Sequence, residues 1–81
     1  MNVRIMLFAS LAEHLGTQEL SVDLAPNATV GDAIDTLTRQ HYKLSEFREK
    51  IATAVNYKYV KLNHLLRAGD ELALIPPVSG G

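Results

Sequence analysis

The chain has 81 residues, of which 47% are hydrophobic and 21% charged, with a formal net charge of −1. That size and composition fit one small globular domain near the lower limit for a self-sufficient core, and exclude a disordered or membrane-spanning chain. No cysteine is present, which excludes disulfide staples, thiolate metal sites and cysteine nucleophiles, and no basic stripe or interleaved aromatics offer a nucleic-acid surface.

The opening Met1-Asn2-Val3-Arg4-Ile5-Met6-Leu7-Phe8 lacks a basic n-region, a long apolar stretch and a cleavage-like site. No signal peptide is therefore expected, and no run approaches the ~20 apolar residues that span a bilayer. The expected state is soluble and cytoplasmic. Residues 3–9 are β-rich and predict a first strand, with Val3, Ile5 and Leu7 on one face and Arg4, Met6 and Phe8 on the other. Ser10-Leu11-Ala12-Glu13 is a capping-box pattern that predicts a short helical turn capped by Ser10 and stopped at Gly16. Leu20, Val22 and Leu24 alternate with Glu19, Ser21 and Asp23, the pattern of a half-buried second strand.

Pro26-Asn27 breaks that strand. Thr29 with Asp32 three residues on is a variant capping box. Val30, Ala33, Ile34, Leu37, His41 and Leu44 follow at helical spacing, predicting the main helix over residues 30–42. Residues 45–50 are a mostly polar connection. A third strand is predicted over 51–56, a turn at Tyr57-Lys58, a short strand over 59–62, a turn at Arg67-Ala68-Gly69-Asp70 and a last strand over 71–75.

These elements sum to an α+β chain, one domain over residues 1–81, with a mixed sheet of about five strands and one main helix on one face. That is the β-grasp (ubiquitin-like) arrangement, in which the first and last strands lie side by side and parallel. On the sheet's far face Met6 and Phe8 are then expected near Ala73 and Ile75, with Tyr59 adjoining. No second long helix is available to cover them. A contiguous apolar set of this kind marks a partner-binding face rather than incidental exposure.

Within the body no catalytic constellation emerges. His14, His41 and His64 lack mutual i+3 or i+4 spacing, so no metal site is expected. Asp32 and Asp35 suit the positive end of a helix dipole better than acid–base work. Ser10 has no nucleophile elbow or adjacent base, and Gly31 is too isolated for a phosphate loop.

The ending is different. Leu74-Ile75 is cut off by Pro76-Pro77, and Val78-Ser79-Gly80-Gly81 follows. Proline has no N–H to donate and a fixed φ, so the pair ends ladder pairing and projects residues 76–81 as an extended tail. Glycine has no Cβ, so Gly80 and Gly81 can thread a narrow channel and leave a terminal carbonyl open to attack. From Val78 to Gly81 the reach is roughly 13 Å, enough to enter a partner's pocket.

Taken together, the chain resembles the small subunit of molybdopterin synthase, a ubiquitin-like sulfur carrier. The resemblance runs along the whole chain. It lies in Leu7-Phe8-Ala9-Ser10, Thr29-Val30-Gly31-Asp32-Ala33, Ala54-Val55-Asn56 and Leu66-Arg67-Ala68-Gly69-Asp70-Glu71. The most specific part is Ile75-Pro76-Pro77-Val78-Ser79-Gly80-Gly81. Thiamine-pathway carriers share Gly-Gly but usually lack the Pro-Pro stretch. Some relatives carry arginine where this chain has Ala12, and nothing is carried over there.

The resemblance implies a non-catalytic sulfur-donor subunit of a sulfurtransferase complex, with no bound cofactor. A ubiquitin-activating-like adenylyltransferase would use ATP to adenylate Gly81, which would then become a thiocarboxylate. Pro76, Pro77, Val78, Ser79 and Gly80 would carry it into the large subunit of a heterotetramer. There the sulfur would attack cyclic pyranopterin monophosphate and build the molybdopterin dithiolene. By the family pattern Phe8, Tyr59 and Ile75 match hydrophobic interface positions. Three alternatives stay open at this point: a sulfur carrier for thiamine or tRNA thiolation, a ubiquitin-like modifier joined to lysines through Gly81, and an interaction module with an idle terminus.

Overall fold

In the computed structural model, which describes residues 1–47 and 50–77, the chain opens with β1, Asn2–Leu7. Val3, Ile5 and Leu7 are buried there while Asn2 and Arg4 are exposed, as the alternation predicts. The strand ends at Leu7, short of the expected residue 9. Phe8 is extended (φ −118°, ψ 152°) and serves as N-cap of α1, Ala9–Leu15. Ala9 itself turns to φ 49° and cannot stay in the ladder.

The expected Ser10 cap is corrected by this geometry. Because the helix begins at Ala9, Ser10 already sits inside the first turn, and no side chain caps the helix. Leu11 N–H donates to the Phe8 carbonyl instead (3.1 Å). The stop at Gly16 is as expected: its φ of 72° suits glycine, and its N–H donates to Ala12 O (2.9 Å).

β2, Glu19–Asp23, turns Val22 inward, and Leu24 just beyond it is also buried. α2, Val30–Gln40, starts at the predicted capping box. Asp32 N–H donates to Thr29 Oγ1 (3.2 Å) and Thr29 N–H donates to Asp32 Oδ2 (2.9 Å). The next two N–H groups at this helix start also find partners: Val30 donates to His64 O and Gly31 to Leu62 O, each at 2.9 Å. Orphan donors of the first turn are thus satisfied by the loop that packs across it. The loop packs closely here: a Cβ on Gly31 would lie 3.4 Å from Leu62 O, in van der Waals contact. Val30, Ala33, Ile34 and Leu37 form the buried stripe. The α-helix stops at Gln40 rather than 42, and Leu44 reaches the core from a 3₁₀ turn, Tyr42–Glu46.

β3, Ala52–Val55, and β4, Lys58–Tyr59, form a hairpin. Val55 pairs with Lys58, so its turn is Asn56-Tyr57 rather than Tyr57-Lys58. The short strand also ends at Tyr59 rather than running to residue 62. The turn sits there because Asn56 (φ 51°) and Tyr57 (φ 73°) adopt the paired left-handed conformation of a two-residue hairpin turn. At the Arg67–Asp70 turn, Gly69 has φ 85° and Arg67 N–H donates to Asp70 Oδ2 (2.8 Å).

β5, Glu71–Ile75, completes a five-stranded sheet of order β2-β1-β5-β3-β4. β1 and β5 are parallel and central, and the other neighbours are antiparallel. Ile5, Leu72, Leu74, Ile34 and Leu37 are buried in the same apolar core, with Leu11 closing one end. This is the mixed β-grasp sheet expected from the element order.

Candidate functional site

Paired residues in a sheet share a face, so the register decides what gathers opposite the helix. Met6 pairs with Ala73, Ala73 with Ala54, and Ala54 with Tyr59, which makes one lateral row across four strands. Ala52 and Ile75 form the next pair toward the end of β5. Phe8 continues the outward parity of Arg4 and Met6 beyond β1. The expectation that Met6, Phe8, Ala73, Ile75 and Tyr59 share this face therefore holds.

Small residues in the middle and large ones at the margin leave a hollow. Ala54 and Ala73 form its floor, while Phe8, Tyr57, Tyr59 and Ile75 stand around it, enclosing about 200 Å³. Phe8 is 46% exposed and Tyr59 77% exposed. Unlike the helix-covered face, this surface has nothing over it among the described residues. A cluster of open apolar side chains of this kind is the mark of a docking surface.

One side of the hollow is charged. Arg4 pairs across the sheet with Glu71 and Ser21. Its guanidinium donates to Glu71 Oε2 (2.6 Å) and lies 3.6 Å from Glu19 Oε1. Such exposed pairs contribute little to stability, but they draw a polar border beside the apolar half. The border lies toward the start of β5, and the apolar half lies toward its end.

That end is where the chain leaves the body. Ile75 is the last strand residue, Pro76 is buried and Pro77 is exposed. The expected tail residues Val78, Ser79, Gly80 and Gly81 lie outside the described residues. The outgoing chain therefore starts from the lip of the hollow, because Ile75 belongs to both.

The other candidates fall into structural roles. His14 lies against Phe47, with ring centroids 5.1 Å apart. His41 caps the end of α2, donating its N–H to Leu37 O (2.7 Å), and His64 offers its carbonyl to Val30. Among the described residues no group of three or more His, Asp or Glu side chains could hold a metal ion. A broader depression of about 830 Å³ is lined in part by Asn56, Lys58, His64, Arg67 and Asp70. There the Asp70 carboxylate is already engaged by Arg67 N–H and by Asn56 Nδ2 (3.1 Å). No helix among the described residues is long and apolar enough to cross a membrane.

Three residues that line the hollow, Ala54, Tyr57 and Glu71, escape a reading of the sequence. Ala54 could have been found from the parity of the third strand, where Ala52 and Ala54 oppose Thr53 and Val55. Tyr57 could not, because its place depends on which two residues make the turn.

Comparison with known proteins gives a consistent picture. A family model described as the ThiS family matches residues 5–81. Small archaeal modifier protein 1 of Haloferax volcanii is 43% identical, over 93% of this chain and 95% of that protein. Its crystal structure superposes with a TM-score of 0.90 at 40% identity, covering all of both chains. The molybdopterin synthase sulfur carrier subunit of Arabidopsis thaliana is 32% identical, over 98% of this chain and 82% of that one. One chain of the BexX/CysO complex of Amycolatopsis orientalis is 30% identical with a TM-score of 0.72, covering 98% and 99%.

Proposed function

The chain belongs to the ThiS family, and on that premise we propose that it is the sulfur-carrier subunit of a molybdopterin synthase. A carboxylate is a poor electrophile because its leaving group would be oxide. In the proposed cycle a ubiquitin-activating-like adenylyltransferase joins the Gly81 carboxylate to AMP from ATP, releasing pyrophosphate. Sulfide-level sulfur from a donor then displaces AMP and leaves a thiocarboxylate. In the large subunit that sulfur attacks a carbon of cyclic pyranopterin monophosphate, and the new C–S bond replaces a C–O bond there, the oxygen leaving as water or as the opened phosphate ester. Water cleaves the resulting thioester and returns glycine as carboxylate. Repetition supplies the second sulfur of the dithiolene.

The chain's own part in this cycle is presentation. One observation carries the reading: the apolar hollow of Phe8, Tyr59 and Ile75 shares its lip with the point where the C-terminal segment leaves β5. A partner covering the hollow is thereby placed to receive the tail. Phe8, Tyr59 and Ile75 serve as its interface, and Pro76 to Gly80 as the segment that leads Gly81 inward. The assembly is a heterotetramer in the cytoplasm, and no cofactor resides on this subunit.

A second reading has its own support in the 43% identity to an archaeal modifier. There the same acyl-adenylate chemistry would end on a lysine amine, giving an isopeptide bond. The two readings differ in the nucleophile and so in the product. Intact-mass measurement on the chain isolated from cells tests them together. Replacement of one terminal oxygen by sulfur is expected, and it should vanish when Gly81 is deleted while the circular dichroism spectrum stays unchanged. Lysine-linked adducts without any thiocarboxylate would favour the modifier. Undiminished molybdopterin synthesis by the Gly81 deletion would refute the carrier reading, and the absence of both thiocarboxylate and lysine-linked adducts on the wild-type chain would refute both.

A further inference from the structure

The β3–β4 turn holds Asn56 and Tyr57 in the left-handed region. Such turns ordinarily place glycine second, because a Cβ at positive φ is strained. Asn56 suits its position. Its Nδ2 donates to Asp70 Oδ1 (3.1 Å), its Oδ1 accepts from Glu71 N–H (3.1 Å), and its own N–H donates to Glu71 O (2.9 Å).

Tyr57 has no comparable return from the fold. It is 90% exposed, and no side-chain hydrogen bond joins it to the described residues. A strained backbone thus holds a large ring in water, at a site where glycine would relieve the strain. The ring stands on the rim of the hollow, beside Phe8, Tyr59 and Ile75.

The length of the outgoing chain identifies what can cover it. From Pro76 to Gly81 the reach is at most roughly 20 Å, so a protein whose active site holds Gly81 must bring its body against the ground around Ile75. Tyr57 stands within that ground. We propose that Tyr57 is an anchor for the tail-receiving large subunit, its ring entering an apolar pocket there and helping to select that partner. Tyrosine suits the task because it brings a large contact area with few torsions to fix, and a two-residue turn presets where the ring points. This inference rests on the sulfur-carrier reading.

Calorimetric titration of the full chain with the purified molybdopterin synthase large subunit of the same organism tests it, alongside thermal melting. Tyr57→Gly is expected to bind about tenfold more weakly or worse, with a melting temperature unchanged or higher because turn strain is relieved. Phe8→Asp serves as the reference for the hollow itself. If Tyr57→Gly binds like the wild type while Phe8→Asp does not, the anchor is refuted and the carrier reading stands. A fall in melting temperature for Tyr57→Gly would assign the ring to the fold and overturn the proposal. A wild-type chain that fails to bind the large subunit removes the reading and the anchor together.

Discussion

Replacing Phe8 by aspartate probes the docking face at one apolar edge of the hollow. A phenylalanine has on the order of 200 Å² to bury. Phe8 keeps 46% of its surface open in the free chain, so about 90 Å² is left for a partner to cover. At ~25 cal/mol per Å² that is about 2 kcal/mol, or roughly thirtyfold in affinity for truncation to alanine. Aspartate adds the cost of drawing a carboxylate out of water with no cation opposite, which amounts to about several kcal/mol. Phe8→Asp should therefore weaken binding by about a hundredfold or more. The fold should lose little, because the ring lies beyond the end of β1 and is already half solvated. The assay is calorimetric titration with the large subunit, with circular dichroism to verify folding. A folded Phe8→Asp chain that binds at wild-type strength would refute the interface, and the presentation argument would lose its geometric basis.

Two further substitutions test the scaffold. Leu72 is fully buried on the central strand β5, so Leu72→Ala should cost about 2–5 kcal/mol. For a domain of this size, with a total stability of roughly 4–12 kcal/mol, urea titration should show a midpoint far lower or no folded baseline; an unchanged midpoint would mean the core is assigned wrongly. Thr29→Ala removes the hydroxyl that accepts Asp32 N–H and should cost about 1 kcal/mol, lowering Tm by roughly 4–8 °C. A thermal melt indistinguishable from wild type would show that the capping box contributes nothing.

Local chemistry was legible because it acts over a few residues. The Thr29–Asp32 cap, the stop at Gly16, the Gly69 turn and the inward parity of Val3, Ile5 and Leu7 all follow from spacings that any local window contains. Ser10 misled for a related reason. A capping pattern is only permissive, and the helix started earlier because Phe8 was already extended and Ala9 had left the ladder. The hairpin was displaced by one residue, since Asn-Tyr lacks the glycine that usually announces such a turn.

The periods of the chain by themselves decided which side chains of each strand point together, and the proline pair decided where pairing must stop. They could not decide which strands would be neighbours. Parallel pairing of β1 with β5 joins residues far apart in sequence and depends on the helix packing that closes the loop between them. Only that closure set Met6 beside Ala73 and Ala54 beside Tyr59, turning scattered apolar residues into one hollow at the exit of the chain.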